Sequence, residues 1–156
     1  MRRINFRDES GFTILELMVV VVVLIILGGF LKFVIYEKLT GSFTVSPPTV
    51  AQAPGTGTFI YNMTRETNFG KKPERGRSTT FTVRPKAGVR IISLNGRFLG
   101  TQNPDGSWTG ATSGTQPTDN GGNVTVVLQI DYIGTATLEA KDGPSGQKEI
   151  AQFDGV

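Results

Sequence analysis

From Phe12 to Leu31 the chain is apolar at every position except Thr13, Glu16 and the pair Gly28 and Gly29. A run of about 20 such residues predicts one helix, about 30 Å long, which matches the hydrocarbon core of a bilayer. The helix is expected to continue over Lys32, Phe33, Tyr36, Glu37 and Lys38 and to stop at Gly41. Lys32, Tyr36 and Lys38 are amphipathic side chains of the kind that favour a membrane interface. Residues 46–57 are rich in Pro, Gly and small side chains and read as an extended linker between stalk and head.

Beyond the linker the pattern changes period. Residues 58–70 are too short a stretch for periodicity to choose between helix and strand. Residues 79–84 are rich in Thr, Phe and Val, and 88–94 alternate around Val89, Ile91 and Ile92, so both predict strands. Asn95-Gly96 between apolar runs predicts a two-residue hairpin, because both central residues of a type I′ turn need positive φ. Asp105-Gly106 is a second turn candidate, before Ser107, Trp108 and Thr109. Residues 110–122 are mostly Thr, Ser, Gly and Asn with almost nothing apolar, and predict a surface loop. The strand pattern is clearest at 123–133, with Val124, Val126, Leu128, Ile130 and Tyr132 on one face. Two more strands are expected at 135–140 and 149–153, joined by a turn over 142–146. No internal repeat is visible.

Composition narrows the function classes. The chain has 156 residues, so about a hundred remain after the apolar segment, enough for one small domain. It contains no Cys and no His. No disulfide can staple the head, and neither a thiolate nor the commonest general base and zinc ligands exist, which argues against an enzyme and against a metal centre. The first 11 residues place Arg2, Arg3 and Arg7 against Asp8 and Glu9 and lack the apolar core of a secretory signal. Basic residues ahead of the apolar run put the N-terminus in the cytoplasm and the head outside.

One carboxylate, Glu16, interrupts the apolar run. A carboxylate in a membrane segment costs roughly 2.5–3.5 kcal/mol near the helix centre and less towards an end, so it calls for a partner. The series Gly11-Phe12-Thr13-x-x-Glu16-Leu17-x-Val19-Val20 resembles the prepilin signal of type IV pilins and type II secretion pseudopilins. The resemblance covers roughly the first 30 residues. It implies that a prepilin peptidase cuts after Gly11 and N-methylates Phe12, the new N-terminus. Glu16 then compensates the terminal amine of a neighbouring subunit when helices bundle in a filament. Three features depart from the major-pilin pattern: Asp8, Glu9 and Ser10 stand before Gly11, the helix is short, and the paired Cys of many major pilins is missing. They favour a minor pilin or a pseudopilin. An ordinary signal anchor that happens to carry a Glu is the plain alternative.

Charge in the head is segregated. Residues 65–90 hold eight basic side chains against two acidic ones, whereas 91–156 hold three against seven. Lys71, Lys72, Arg75, Arg77, Arg84, Lys86 and Arg90 are thus a candidate anion patch, for DNA during uptake, since Lys and Arg attract phosphates without sequence preference. The plainer reading is a solvated loop or a surface that meets the acidic half of another subunit. Ser145 and Lys148 share the Ser-x-x-Lys spelling of some acyl enzymes, but lie in a Gly-Pro turn, not at a helix start. Gly55-Thr56-Gly57 lacks the rest of a phosphate loop. Asp105, Asp119 and Asn120 suit turns as well as a calcium loop. Trp108, the only Trp, is expected in the core rather than at an exposed tip.

These readings combine into an α+β, pilin-like chain: an N-terminal hydrophobic transmembrane helix followed by a small, mostly antiparallel β-sheet head. The expected divisions are a leader at 1–11, a transmembrane and assembly helix at 12–40, a linker at 41–57 and an extracytoplasmic head at 58–156. The function so implied is a structural, non-enzymatic minor pilin without cofactor or metal, in support of DNA uptake or adhesion, with a type II secretion pseudopilin second. A membrane-anchored binding module is the alternative of another class. Its partners are other pilin or pseudopilin subunits, the prepilin peptidase, an inner-membrane assembly platform and, for the uptake variant, nucleic acid. Its expected place is the inner membrane and then a pilus or periplasmic pseudopilus.

Overall fold

The computed structural model describes residues 13–35, 37–45 and 54–155, with side-chain surroundings for all of these except 31–35. The leader with Gly11, together with Phe12, Tyr36 and the middle of the expected linker, lies outside the described residues. The chain divides into two compact units, Met1–Glu37 and Lys38–Val156.

The first unit holds helix α1, Ile14–Ile35, the single helix among the described residues. Its start is set by a capping box. The Thr13 hydroxyl accepts from the Glu16 amide at 3.2 Å, and the Glu16 carboxylate accepts from the Thr13 amide at 2.9 Å. Each side chain thereby satisfies a backbone donor of the other residue. The apolar residues of the helix lie on every side of it, from Ile14 to Phe30, and all are exposed.

The second unit is a two-sheet antiparallel sandwich. Its strands are β1 Lys38–Val45, β2 Gly55–Thr67, β3 Gly70–Pro73, β4 Ser78–Arg84, β5 Val89–Leu94, β6 Arg97–Phe98, β7 Thr101–Gln102, β8 Trp108–Thr109, β9 Ser113–Pro117, β10 Asn123–Ile130, β11 Gly134–Asp142 and β12 Lys148–Gly155. One sheet runs β1-β2-β10-β5-β6, with β3 also paired to β2, and the other runs β12-β11-β4-β9. Strands β7 and β8 form a separate ribbon. Side chains that alternate along the strands meet between the sheets. Phe59, Tyr61 and Met63 of β2, Phe81 and Val83 of β4, Val124, Val126, Leu128 and Ile130 of β10, and Leu138 of β11 are all essentially inaccessible. Tyr61 sits edge-on to Phe81, with ring centroids 5.6 Å apart.

This architecture corrects the expected fold class. The chain is mostly β, and among the described residues no helix is long and apolar enough to cross a membrane. The part of α1 with described side chains ends at Phe30, about 25 Å from Ile14 at 1.5 Å per residue. The α+β pilin-like arrangement with a long transmembrane helix does not hold. Residues 38–45, expected to end the helix and open the linker, form β1 instead. There Leu39, Phe43 and Val45 pack against the core with the period of a strand. Gly41 is no helix stop: it lies buried over Tyr61, where a Cβ would come within 2.3 Å of the phenolic oxygen.

Other differences have local causes. Residues 55–57, assigned to the linker, begin β2, and the undecided stretch 58–70 is strand through Thr67. The expected loop at 110–122 contains β9, which pairs with β4 over Ser78–Thr82. Hydroxyls rather than apolar side chains line that pairing, as in the 2.8 Å contact of Thr80 Oγ1 with Thr115 Oγ1, so no hydrophobic alternation marks the strand. Tyr132 is past the end of β10 and partly exposed. The Asn95-Gly96 hairpin joins β5 to β6 with φ of 49° and 76°, as a type I′ turn requires.

Candidate functional site

Glu16 stands in the first turn of α1, exposed, at the end of the helix where the backbone dipole favours a negative charge. The Thr13 amide and hydroxyl both donate to its Oε2, at 2.9 and 3.1 Å. The carboxylate therefore caps its own helix through one oxygen. Glycine at 11 and phenylalanine at 12, the cleavage and methylation positions, lie outside the described residues.

The seven basic residues of the candidate anion patch do not come together. Lys71 and Lys72 lie exposed on β3, opposite Glu66 and Arg65 of β2. Arg75 is exposed in the turn that follows. Arg84, Lys86 and Arg90 belong to the other end of the sandwich, since Arg90 pairs across β10 with Gln129, itself opposite Thr56. From Thr56 to Glu66 along β2 is about 30 Å at 3.3 Å per residue. The run of charge in the sequence is thus split by the length of a strand. Arg90 also donates through Nη1 to the Lys86 carbonyl at 3.4 Å.

Arg77 has a different task. Its Nε donates to Asp142 Oδ1 at 3.0 Å and its Nη2 to Asp142 Oδ2 at 2.5 Å, a bidentate pair with the carboxylate wholly buried. Ser145 adds its amide, 2.8 Å from Oδ2, and its hydroxyl. Burial works to raise the pKa of Asp142, but the guanidinium and the two Ser145 donors outweigh it and hold the group below the usual carboxylate value. Arg77 and Asp142 therefore tie the loop before β4 to the β11–β12 turn. No pattern in the sequence links two residues 65 positions apart.

The remaining candidates have structural roles as well. The Ser145 hydroxyl is engaged by Asp142, and Lys148 Nζ lies 3.2 Å from Glu139, so the pair holds no acyl-transfer geometry. Asp119 Oδ1 accepts from the Gly121 and Asn123 amides, each at 2.8 Å, as a turn carboxylate does. No group of three or more acidic residues able to hold a metal exists among the described residues. Trp108 is not in the core. It stands half-buried on β8, with its ring stacked on exposed Phe98 at 5.9 Å and an interplanar angle of 5°. Beside it opens a cleft of about 520 Å³ that the sequence did not announce.

Comparison with known proteins adds the following. No curated protein matches the chain. Among solved structures, a conjugative transposon lipoprotein from Bacteroides eggerthii is similar at a TM-score of 0.39 and 11% identity, over 74% of this chain and 94% of that one. The CARDB domain of a Pyrococcus furiosus protein, in complex with di-metal ions, is similar at a TM-score of 0.39 and 13% identity, over 78% and 90%. Residues 6–31 match the model of the prokaryotic N-terminal methylation motif, the signature of type IV pilin and pseudopilin prepilin-type signals. That motif belongs to a structural rather than enzymatic family and supports a type IV pilin-like or pseudopilin precursor, which implies in general processing by a peptidase, association with the membrane and assembly with other subunits.

Proposed function

We propose that the chain is a structural subunit of a type IV pilus-like filament, in the role of a minor pilin. Prepilin peptidase removes residues 1–11 and methylates Phe12. The processed subunit is held at the inner membrane by its N-terminal segment, with the leader on the cytoplasmic side, until an assembly platform adds it to the filament. Packing of the apolar α1 surfaces of several subunits holds the filament together, and Glu16 pairs with the Phe12 amine of a neighbour to set the register. The observation that carries this reading is the methylation motif at 6–31, with a carboxylate in the first turn of a helix whose apolar side chains are exposed from Ile14 to Phe30. Water is a poor medium for such a surface, and helices of the same kind are a good one.

The test is the intact mass of the membrane-extracted protein, expressed with and without a prepilin peptidase. Loss of residues 1–11 and gain of one methyl group, only with the peptidase, is the expected result. An uncut chain beside a competent peptidase would overturn it. For assembly, Glu16→Gln keeps an amide oxygen able to serve the Thr13 capping box, yet removes the charge. Filament incorporation should fall in Glu16→Gln as much as in Glu16→Ala. Unimpaired incorporation of Glu16→Gln would reduce Glu16 to a helix cap, and recruitment into a secretion pseudopilus would replace the minor-pilin assignment.

A further inference from the structure

The cleft beside Trp108 lies between the β7–β8 ribbon and the outer face of the β2–β10 sheet, at the end where β2 begins. Trp108, Gln102 and Asp105 line it from the ribbon side, and Thr56, Gln129 and Asp131 from the sheet. At about 520 Å³ it is within the size of small-molecule clefts, roughly 300–1,000 Å³, with room for more than one pyranose ring. One large aromatic side chain and several planar polar groups converge on one space. We propose that this cleft binds a neutral saccharide.

The chemistry favours that ligand class over others. No Lys or Arg lines the cleft, and two carboxylates do, so an anion would be repelled. Two carboxylates and two carboxamides are rich in acceptors and arranged in planes, which suits the adjacent hydroxyl donors of a sugar. The face of an indole ring carries negative charge density and attracts the slightly positive C–H bonds on one face of a pyranose. A metal ion would leave the ring without a purpose.

The polar groups are also fixed in place before any ligand arrives. Asp105 Oδ1 accepts from the Ser107 amide at 3.0 Å and from its hydroxyl at 2.6 Å. These bonds, the hydroxyl first, lower the Asp105 pKa and so favour its acceptor-only carboxylate form. Gln129, 8% exposed, donates through Nε2 to Asp131 Oδ1 at 2.9 Å, which orients both. Stacking on Phe98 steadies the Trp108 ring. Groups held this way lose little freedom on binding. The inference concerns the sandwich alone and does not depend on filament assembly.

Trp108 is the only Trp in the chain, so its emission reports on the cleft directly. The experiment titrates the full chain, in a detergent without a sugar headgroup, with cellotetraose, chitotetraose and maltotetraose. A saturable change in emission with at least one of them is expected. Gln102→Ala and Asp131→Ala should each weaken that affinity about tenfold, and Gln102→Ala, which removes only an exposed side chain with one 3.5 Å bond to the Gly106 carbonyl, should do so at an unchanged melting temperature. Trp108→Phe, read by calorimetry, should weaken it as well. No saturable change up to about 10 mM of any of the three sugars would overturn the proposal, because one stacked ring and a few hydrogen bonds sustain tighter binding than that. So would a response that both alanine variants retain, or one that calcium chloride elicits and the sugars do not.

Discussion

Replacing Asp142 by Ala should destabilise the sandwich more than any other single change at a polar residue of the Arg77–Asp142 pairing. The carboxylate is wholly buried and accepts two bonds from Arg77 and two from Ser145. Its removal leaves the guanidinium, 20% exposed, without an anion. Breaking a buried pair from one side costs about 3–5 kcal/mol, and the partial access of Arg77 to water brings the expectation to about 3 kcal/mol. For a domain of roughly 100–150 residues that lowers the melting temperature by about 10–15 °C. Asp142→Ala, Arg77→Met and the double variant, melted by circular dichroism in the fragment 38–156, close the cycle. The double variant should be more stable than the sum of the single losses implies, by about 1–3 kcal/mol. Strict additivity would refute the coupling. The pH dependence has a definite sign. The folded pKa of Asp142 lies below its unfolded value, so its stabilisation is present above the unfolded value near 4 and is lost as the pH falls through the folded one.

Other perturbations act on the turns and the core of the sandwich. Gly41→Ala forces a methyl group onto the ring of buried Tyr61 and should cost about 1–3 kcal/mol, read as a fall in denaturation midpoint; a neutral result would mean that β1 can lift away from the core. Asn95→Ala removes a residue suited to its φ of 49° and the side-chain oxygen that accepts from the Thr125 amide at 2.8 Å, for a loss of about 1–2 kcal/mol in the same assay. Burial, ahead of repulsion from Asp142 and Glu149, pushes the Tyr61 pKa up to about 12. The corresponding stability is intact below the unfolded value near 10 and is lost as the pH rises from there through about 12, so phenolate absorbance should rise together with alkaline unfolding. Because Lys71, Lys72 and Arg75 stand at one end of the sandwich, duplex DNA can meet about three cations there, and any binding should show a logarithmic salt slope no steeper than about −3. A slope of about −6 would mean that both ends engage one duplex.

Strands whose inner face is aliphatic were legible from alternation alone, as in β10, where Val124, Val126, Leu128 and Ile130 occupy every second position and are all buried. The Asn95-Gly96 turn was legible because its chemistry is local. Strand β9 was not, because Ser, Gly and Thr carry no apolar signal and its pairing with β4 depends on a partner some 35 positions away. Strand β1 follows directly on a strongly apolar helix, and the wider pattern hid a local one. Leu39, Gly41, Phe43 and Val45 recur at every second residue, which is a strand period in plain view. At the site, Thr13-x-x-Glu16 spells a capping box, a local signal that is independent of the charge's place in an apolar run. Long-range partners such as Arg77 and Asp142 leave no trace in a single sequence, and neither does the cleft that Trp108 shares with residues of two distant strands.

The division of the chain into two units bears on how Glu16 can serve a filament. Among the described residues the buried core runs from Phe59 to Phe153, all within the second unit. The helix has the opposite character, with apolar side chains exposed from Ile14 to Phe30 and a single carboxylate at its start. Hydrophobic contact between such helices is strong but indifferent to register, because the surface is apolar on every side and one sliding position buries about as much as the next. A charge is not indifferent. Placed at one level of the helix, Glu16 can be satisfied only where a cation or a polar group of the neighbour stands opposite, and any other alignment strands a carboxylate in an apolar layer. The capping box makes this selection sharper, since Thr13 already occupies Oε2 and holds the carboxylate at the first turn. On the proposed filament reading, burial of the helix would supply the affinity and one carboxylate the alignment, and the second would fail without loss of the first. A Glu16→Gln subunit should accordingly still associate with other helices in detergent while losing the ordered register that a growing filament needs.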